Sequence, residues 1–144
     1  MKIDIKIKEL SHEDIVNLMS DGLYDSPYLV AKYDRVHYRH AFGEGLCFEE
    51  ILASILLDGG SIEIGDTNVM SEDEKYGKLN ARYDADNQVM FYTVTLKDII
   101  SGLELAAQTE GGGQYIINFI NGDTDWIEAD YLMQHIVFQE YLYG

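Results

Sequence analysis

Basic residues are scarce in this chain of 144: ten Lys and Arg stand against 26 Asp and Glu, for a formal net charge of −16. The shortage is regional. No Lys or Arg occurs from His40 to Glu74 or from Asp98 to Gly144, stretches that hold nine and eight acidic residues respectively. Affinity for DNA or RNA comes mostly from Lys and Arg neutralising phosphates, so direct nucleic-acid binding is not expected. The same deficit argues against attachment to an anionic membrane surface. Cysteine occurs once, at Cys47, which excludes an intrachain disulfide and favours a reducing cytoplasm. Proline also occurs once, at Pro27, and no Pro-rich or Ser-rich linker divides the chain. No apolar run approaches the roughly 18 residues of a membrane-spanning helix. The start, Met1 to Lys8, alternates apolar and charged residues and lacks the apolar stretch of a signal peptide. One compact cytoplasmic domain over residues 1–144 is the expectation.

What is present can fold. The chain is 47% hydrophobic and 12% aromatic, too apolar for a disordered polyanion. Ile3, Ile5 and Ile7 fall at strand spacing. Ser11 with Asp14 forms a capping-box pattern that opens a helix carrying Ile15, Val16, Leu18, Met19 and Leu23. The Tyr- and Val-rich segment from Pro27 to Tyr38 reads as extended. Phe48, Ile51, Leu52, Ile55 and Leu56 give the clearest buried helical stripe, ended by Gly59 and Gly60. Cys47 falls beside that stripe and reads as a small buried hydrophobe. Ile62 and Ile64 mark a strand, and Lys75–Tyr83 and Gln88–Val94 a hairpin turning through Asp84 to Asn87. Thr95 with Asp98 opens another capped helix with Leu96, Ile99, Ile100, Leu103 and Ala107 inward. A short helix around Tyr115, Ile116, Phe119 and Ile120 follows, with a turn at Asn121 and Gly122. The final helix, starting near Asp123 or Thr124, carries Trp126, Ala129, Met133, Ile136 and Val137 inward. The fold class is therefore α+β: three to four helices packed on a small antiparallel sheet, with an added hairpin.

Organised catalytic chemistry is missing from the sequence. His37 and His40 would face opposite ways on a strand, and only His12 and His135 remain as further imidazoles for a zinc site. Asp123, Thr124, Asp125 and Glu128 supply oxygen ligands but not the glycine and closing Glu of a calcium loop, and acids at a helix start are explained by its dipole. Gly111–Gly113 lead into Gln114 and not into the Lys of a phosphate loop, so they read as a flexible joint. No nucleophile elbow surrounds any Ser. No catalytic residue, metal site or cofactor is expected, and the protein is not read as an enzyme. Lys32, Arg35 and Arg39 form a candidate anion patch. The uneven acidity has two explanations: solubility, or an acidic face that docks on a basic groove where phosphates would otherwise lie.

Leu56-Leu57-Asp58-Gly59-Gly60 before a strand, Val94-Thr95-Leu96 with Gly102-Leu103, and the close Asp130…Gln134…Glu140-Tyr141-Leu142-Tyr143-Gly144 together carry a resemblance. The chain resembles a loose group of small acidic proteins encoded by bacteriophages and prophages that end in an Ile/Val-Tyr-Gly-like tail. It departs from that pattern at Gln139-Glu140, where a Gly-Glu pair is expected, and in the Lys75–Tyr92 hairpin. The resemblance brings no catalytic residue and implies an accessory factor acting on host machinery in the host cytoplasm. The expectation is a non-enzymatic protein binding a basic, nucleic-acid-binding host protein, such as a defence nuclease, through Asp98, Glu104, Asp125, Glu128 and Asp130. Two alternatives stay open: a nucleotide-sequestering protein using Lys32, Arg35 and Arg39, and a homo-oligomeric structural protein associating through its tyrosines.

Overall fold

A computed structural model describes residues 9–24, 26–38 and 46–144. The first-strand expectation at Ile3, Ile5 and Ile7 lies outside the described residues, as do Arg39 and His40. The elements run α1 (His12–Leu23), β1 (Leu29–Lys32), α2 (Arg35–Tyr38), α3 (Phe48–Leu57), β2 (Ser61–Asp66), β3 (Ala81–Asp84), β4 (Val89–Thr95), α4 (Leu96–Ala107), α5 (Gly112–Ile120) and α6 (Trp126–Phe138). The strands form one antiparallel sheet in the order β1-β2-β4-β3, and the fold is α+β as expected. Six helices occur among the described residues, against the three to four expected. The one with no counterpart among the expected helices is α2, a four-residue turn started by the Asp34 side chain and too brief to show apolar periodicity. The hairpin is not an addition either. Its second strand, β4, pairs with β2 from Ser61↔Thr95 to Asp66↔Met90 and lies inside the sheet.

The register divides the sheet into two faces. Ile62, Ile64 and Asp66 stand opposite Val94, Tyr92 and Met90, so these six share the core face, and all are buried. Lys32, Glu63, Phe91 and Arg82 lie at paired positions on the other face. Capping starts the helices as the sequence implies. The Ser11 hydroxyl accepts from the Asp14 N–H at 3.1 Å while the Asp14 carboxylate accepts from the Ser11 N–H at 3.0 Å, and Thr95 and Asp98 repeat the arrangement at 3.3 and 2.9 Å. Each such cap stabilises its helix by about 1 kcal/mol.

α6 is the hub of the helical layer. From Leu132 to Phe138 every residue is buried, because α1 and α4 pack against it and the chain's last residues fold back over it. Gly102 of α4 permits the close approach: a Cβ there would strike the Ile136 backbone. Each fully buried Leu, Ile, Phe or Met in this layer contributes about 1.5–3 kcal/mol of transfer free energy.

Five local expectations are corrected. The extended Pro27–Tyr38 segment stops as a strand at Lys32, since the Asp34 carboxylate accepts from the N–H groups of Val36 and His37 and winds α2. Lys75–Asn80 is not strand; side chains there satisfy the backbone, the Tyr76 N–H donating to the Tyr92 hydroxyl and the Lys78 N–H to Gln139. Gly111–Gly113 are no flexible joint. Gly111 takes φ +84° before α5, and Gly112 and Gly113 are buried in its first turn, where a Cβ on Gly112 would collide with the Ala106 carbonyl. Cys47 is exposed, because it precedes α3 as its cap and does not join the inward stripe. Trp126 is 70% exposed: it has the angle of the α6 stripe but sits at the first turn, which opens onto a groove and not onto the core.

Candidate functional site

That groove, with a volume of about 730 Å³, runs between the end of α1, the Ser26–Tyr28 segment, the first half of α6 and the chain's last residues. Pockets that hold drug-sized ligands have volumes of this order. Its rim carries Tyr24, Trp126, Ile127 and Tyr141, each at least 42% exposed. Large apolar side chains gathered on one surface, with polar groups between them, mark a binding surface better than scattered ones do.

The floor is a polar clasp built on Gln134. This side chain is fully buried, yet its amide is fully used. Its Oε1 accepts from the N–H groups of Leu142 and Tyr143 at 2.9 and 2.8 Å, and its Nε2 donates to the Tyr143 carbonyl at 2.8 Å. The same nitrogen lies 3.0 Å from Asp130 and 2.6 Å from the Tyr28 hydroxyl, which in turn donates to Asp130. The Tyr28 and Tyr143 rings meet at 4.6 Å, and the Tyr143 hydroxyl donates at 2.7 Å to Asp66 on the sheet's core face. Burial first, then the Asp130 carboxylate beside it, push the Tyr28 phenol above its usual range. Burial likewise raises Tyr143 and Asp66. Near neutral pH the Tyr28 and Tyr143 phenols therefore keep their protons and donate them to the Asp130 and Asp66 side chains.

Among the described residues two side-chain carboxylates line the groove, Asp21 and Asp130. Burial, with Asp125 nearby, holds the Asp21 carboxyl above the ordinary carboxylate value. No Lys or Arg among the described residues lines the groove. Aromatic faces and carboxylates together, with no cation of their own, suit a positively charged guest.

The expected partner-binding acids divide between structural work and this groove. Asp98 completes the cap of α4, and Glu104 also lies on α4; neither lines the groove. Asp125 is the N-cap of α6, accepting from the Glu128 N–H at 2.8 Å, so the helix-capping explanation of the Asp123–Asp125 segment holds. Glu128 accepts from the Asn118 side-chain amide at 2.8 and 3.0 Å. Asp130 alone of the five lines the groove. Asp21, Tyr24, Tyr28 and Tyr141 join it from elements the sequence reading left out of the site. One signal could have found it: Asp130 and Gln134 are four apart and interrupt an apolar helix, which points to a shared polar contact along that face.

Of the candidate anion patch, Lys32 and Arg35 are described, while Arg39 lies outside the described residues. Lys32 lies 3.9 Å from Glu63 and over the Phe91 ring at 4.1 Å, and Arg35 stands over Tyr33 at 5.8 Å. Among the described residues no three His, Cys, Asp or Glu side chains are grouped to hold a metal ion. His37 belongs to a helical turn and not to a strand, with its ring edge on Tyr38. His135 is buried, its Nδ1 donating to the Tyr131 carbonyl at 2.9 Å, and burial lowers its basicity. No helix among the described residues is long and apolar enough to cross a membrane. Comparison with family models, curated proteins and solved structures finds no match.

Proposed function

We propose that this chain is a non-enzymatic binding protein, a phage or prophage accessory factor whose acidic surface engages a basic, nucleic-acid-binding host protein and blocks its action. One observation carries the reading: exposed Trp126, Ile127, Tyr24 and Tyr141 stand beside Asp21 and Asp130 on a surface without a lining Lys or Arg among the described residues. Interfaces concentrate their binding energy in such exposed aromatic anchors, while surrounding charge selects the partner and speeds encounter. The regional loss of basic residues after Lys97 extends the acidic field over α4, α5 and α6. A host defence nuclease, whose substrate channel must be basic, is the class of partner that this field suits.

The test is capture from bacterial lysate at low and high salt, with the parent chain beside a variant in which Asp98, Asp125 and Asp130 become Asn and Glu104 and Glu128 become Gln. Neutral amides are chosen because an amide oxygen can still accept from the Glu128 N–H at the α6 N-cap and from the Thr95 N–H at the start of α4, whereas a Lys ammonium accepts neither. The parent should retain a basic nucleic-acid-binding protein at low salt and release it at high salt, and the variant should not retain it while melting as a folded protein. Equal retention by parent and variant would sink the reading.

A further inference from the structure

We propose that the groove between α1 and α6 is a receptor for an arginine-bearing segment of the partner, with the guanidinium held between the aromatic rim and the carboxylates of Asp21 and Asp130. The inference rests on the binding-protein reading above and gives it a location and a chemistry. Charge complementarity chooses the occupant: among the described residues two side-chain carboxylates line the groove, and no cation answers them. The aromatic rim chooses the kind of cation. A guanidinium is planar, sheds water more readily than an ammonium, stacks on ring faces and pairs with carboxylates through two parallel N–H groups.

The molecule holds its own example of this recognition. On the outer face of the sheet, the Arg82 guanidinium lies over the Phe91 ring at 4.9 Å while its Nη2 donates to both oxygens of Glu63 at 3.0 and 3.1 Å. The groove repeats the ring and carboxylate without the arginine. Its volume exceeds what one side chain needs, so the occupant is a stretch of chain carrying the arginine and not a lone small cation.

Trp126 makes the test direct, because it is the chain's one tryptophan and stands on the rim. Its emission, long in wavelength while the indole is wet, is followed as the full chain is titrated with a short glycine-flanked peptide carrying a pair of arginines. A lysine counterpart and a neutral citrulline counterpart serve as controls. The expected result is a saturable blue shift with the arginine peptide, weaker binding of the lysine peptide, and at least about tenfold weaker binding of the citrulline peptide. The Asp21→Asn variant, which leaves the clasp intact, should also weaken the arginine peptide. No saturable shift, or an equal response to citrulline, overturns the proposal. So does an emission already blue and dependent on protein concentration, with light scattering reporting a dimer, since a second copy then fills the groove. Lysate capture with a Trp126→Leu variant separates this failure from that of the wider reading. A partner kept by this variant but lost by the neutral-acid variant overturns the groove and leaves the acidic surface standing. A peptide that binds while the neutral-acid variant keeps its lysate partner supports the groove and removes the wider reading.

Discussion

The outer face of the sheet and the groove at α1 and α6 use the same materials to opposite ends. On the sheet, Lys32 and Arg82 lie across Phe91 and share Glu63, so ring, carboxylate and cations satisfy one another and Phe91 is only 8% exposed. In the groove the rings of Trp126, Tyr24 and Tyr141 and the carboxylates of Asp21 and Asp130 meet no lining cation among the described residues, and the rings stay open. A surface that satisfies its own charges is finished; one that does not still has interaction energy to give to something else. The difference lies in the cations: the sheet's outer face has Lys32 and Arg82 to cover its ring, and the groove has no such lining residue among those described.

The largest expected effect comes from removing the floor on which the groove is built. Gln134→Ala leaves two N–H groups and one carbonyl of the chain's last residues without their partner. It should cost about 2–3 kcal/mol and lower the melting temperature by roughly 5–10 °C. Scanning calorimetry checks the cost, and faster proteolysis after Gln139 checks that the last residues have come loose. A smaller effect should come from giving the groove a cation of its own. Ile127→Arg on the rim should weaken the arginine peptide by about tenfold or more while moving stability by no more than about 0.5 kcal/mol, read by calorimetric titration and melting. An unchanged affinity would mean that the groove is not short of positive charge. The smallest effect should come from undoing the finished surface. Glu63→Gln removes the anion shared by Lys32 and Arg82, yet these side chains are 45% and 52% exposed and should cost less than about 0.5 kcal/mol in urea melts.

The fold was readable where periodicity and capping speak together. Ser11 with Asp14 and Thr95 with Asp98 set helix starts correctly, and the Leu52, Ile55, Leu56 and Ile99, Leu103, Ala107 stripes face the core. The readings failed where a stripe ran past the element it packs against, as at Trp126, or where residues far apart decide the outcome. Gln139 shows the second kind. It takes φ +64°, the left-handed conformation that a Gly-Glu pair at this point would have suited, and its side chain accepts from the Lys78 N–H at 2.8 Å. That contact over 61 residues offsets the strain of the left-handed turn and is invisible to any local pattern. The site was legible only in part for the same reason. Asp130 and the Gln134 and Tyr143 landmarks were in view along the sequence. Their meeting with Tyr28 and Asp66 depends on tertiary packing, so the acids were counted by abundance and not by the cavity they face.

The clasp also fixes when the site can come into being. Its bonds join Tyr28 to Asp130 and Gln134, and Asp66 to Tyr143, over separations of 102, 106 and 77 residues. A growing chain on the ribosome can wind α1 and pair β2 with β4, but it has no groove until Tyr143 has been made and has reached Asp66. Contacts that close such long loops are the slow part of assembly. The groove is therefore a late product of folding: helices and sheet can be in place while its floor is still open, and it closes only when Tyr143 reaches Asp66.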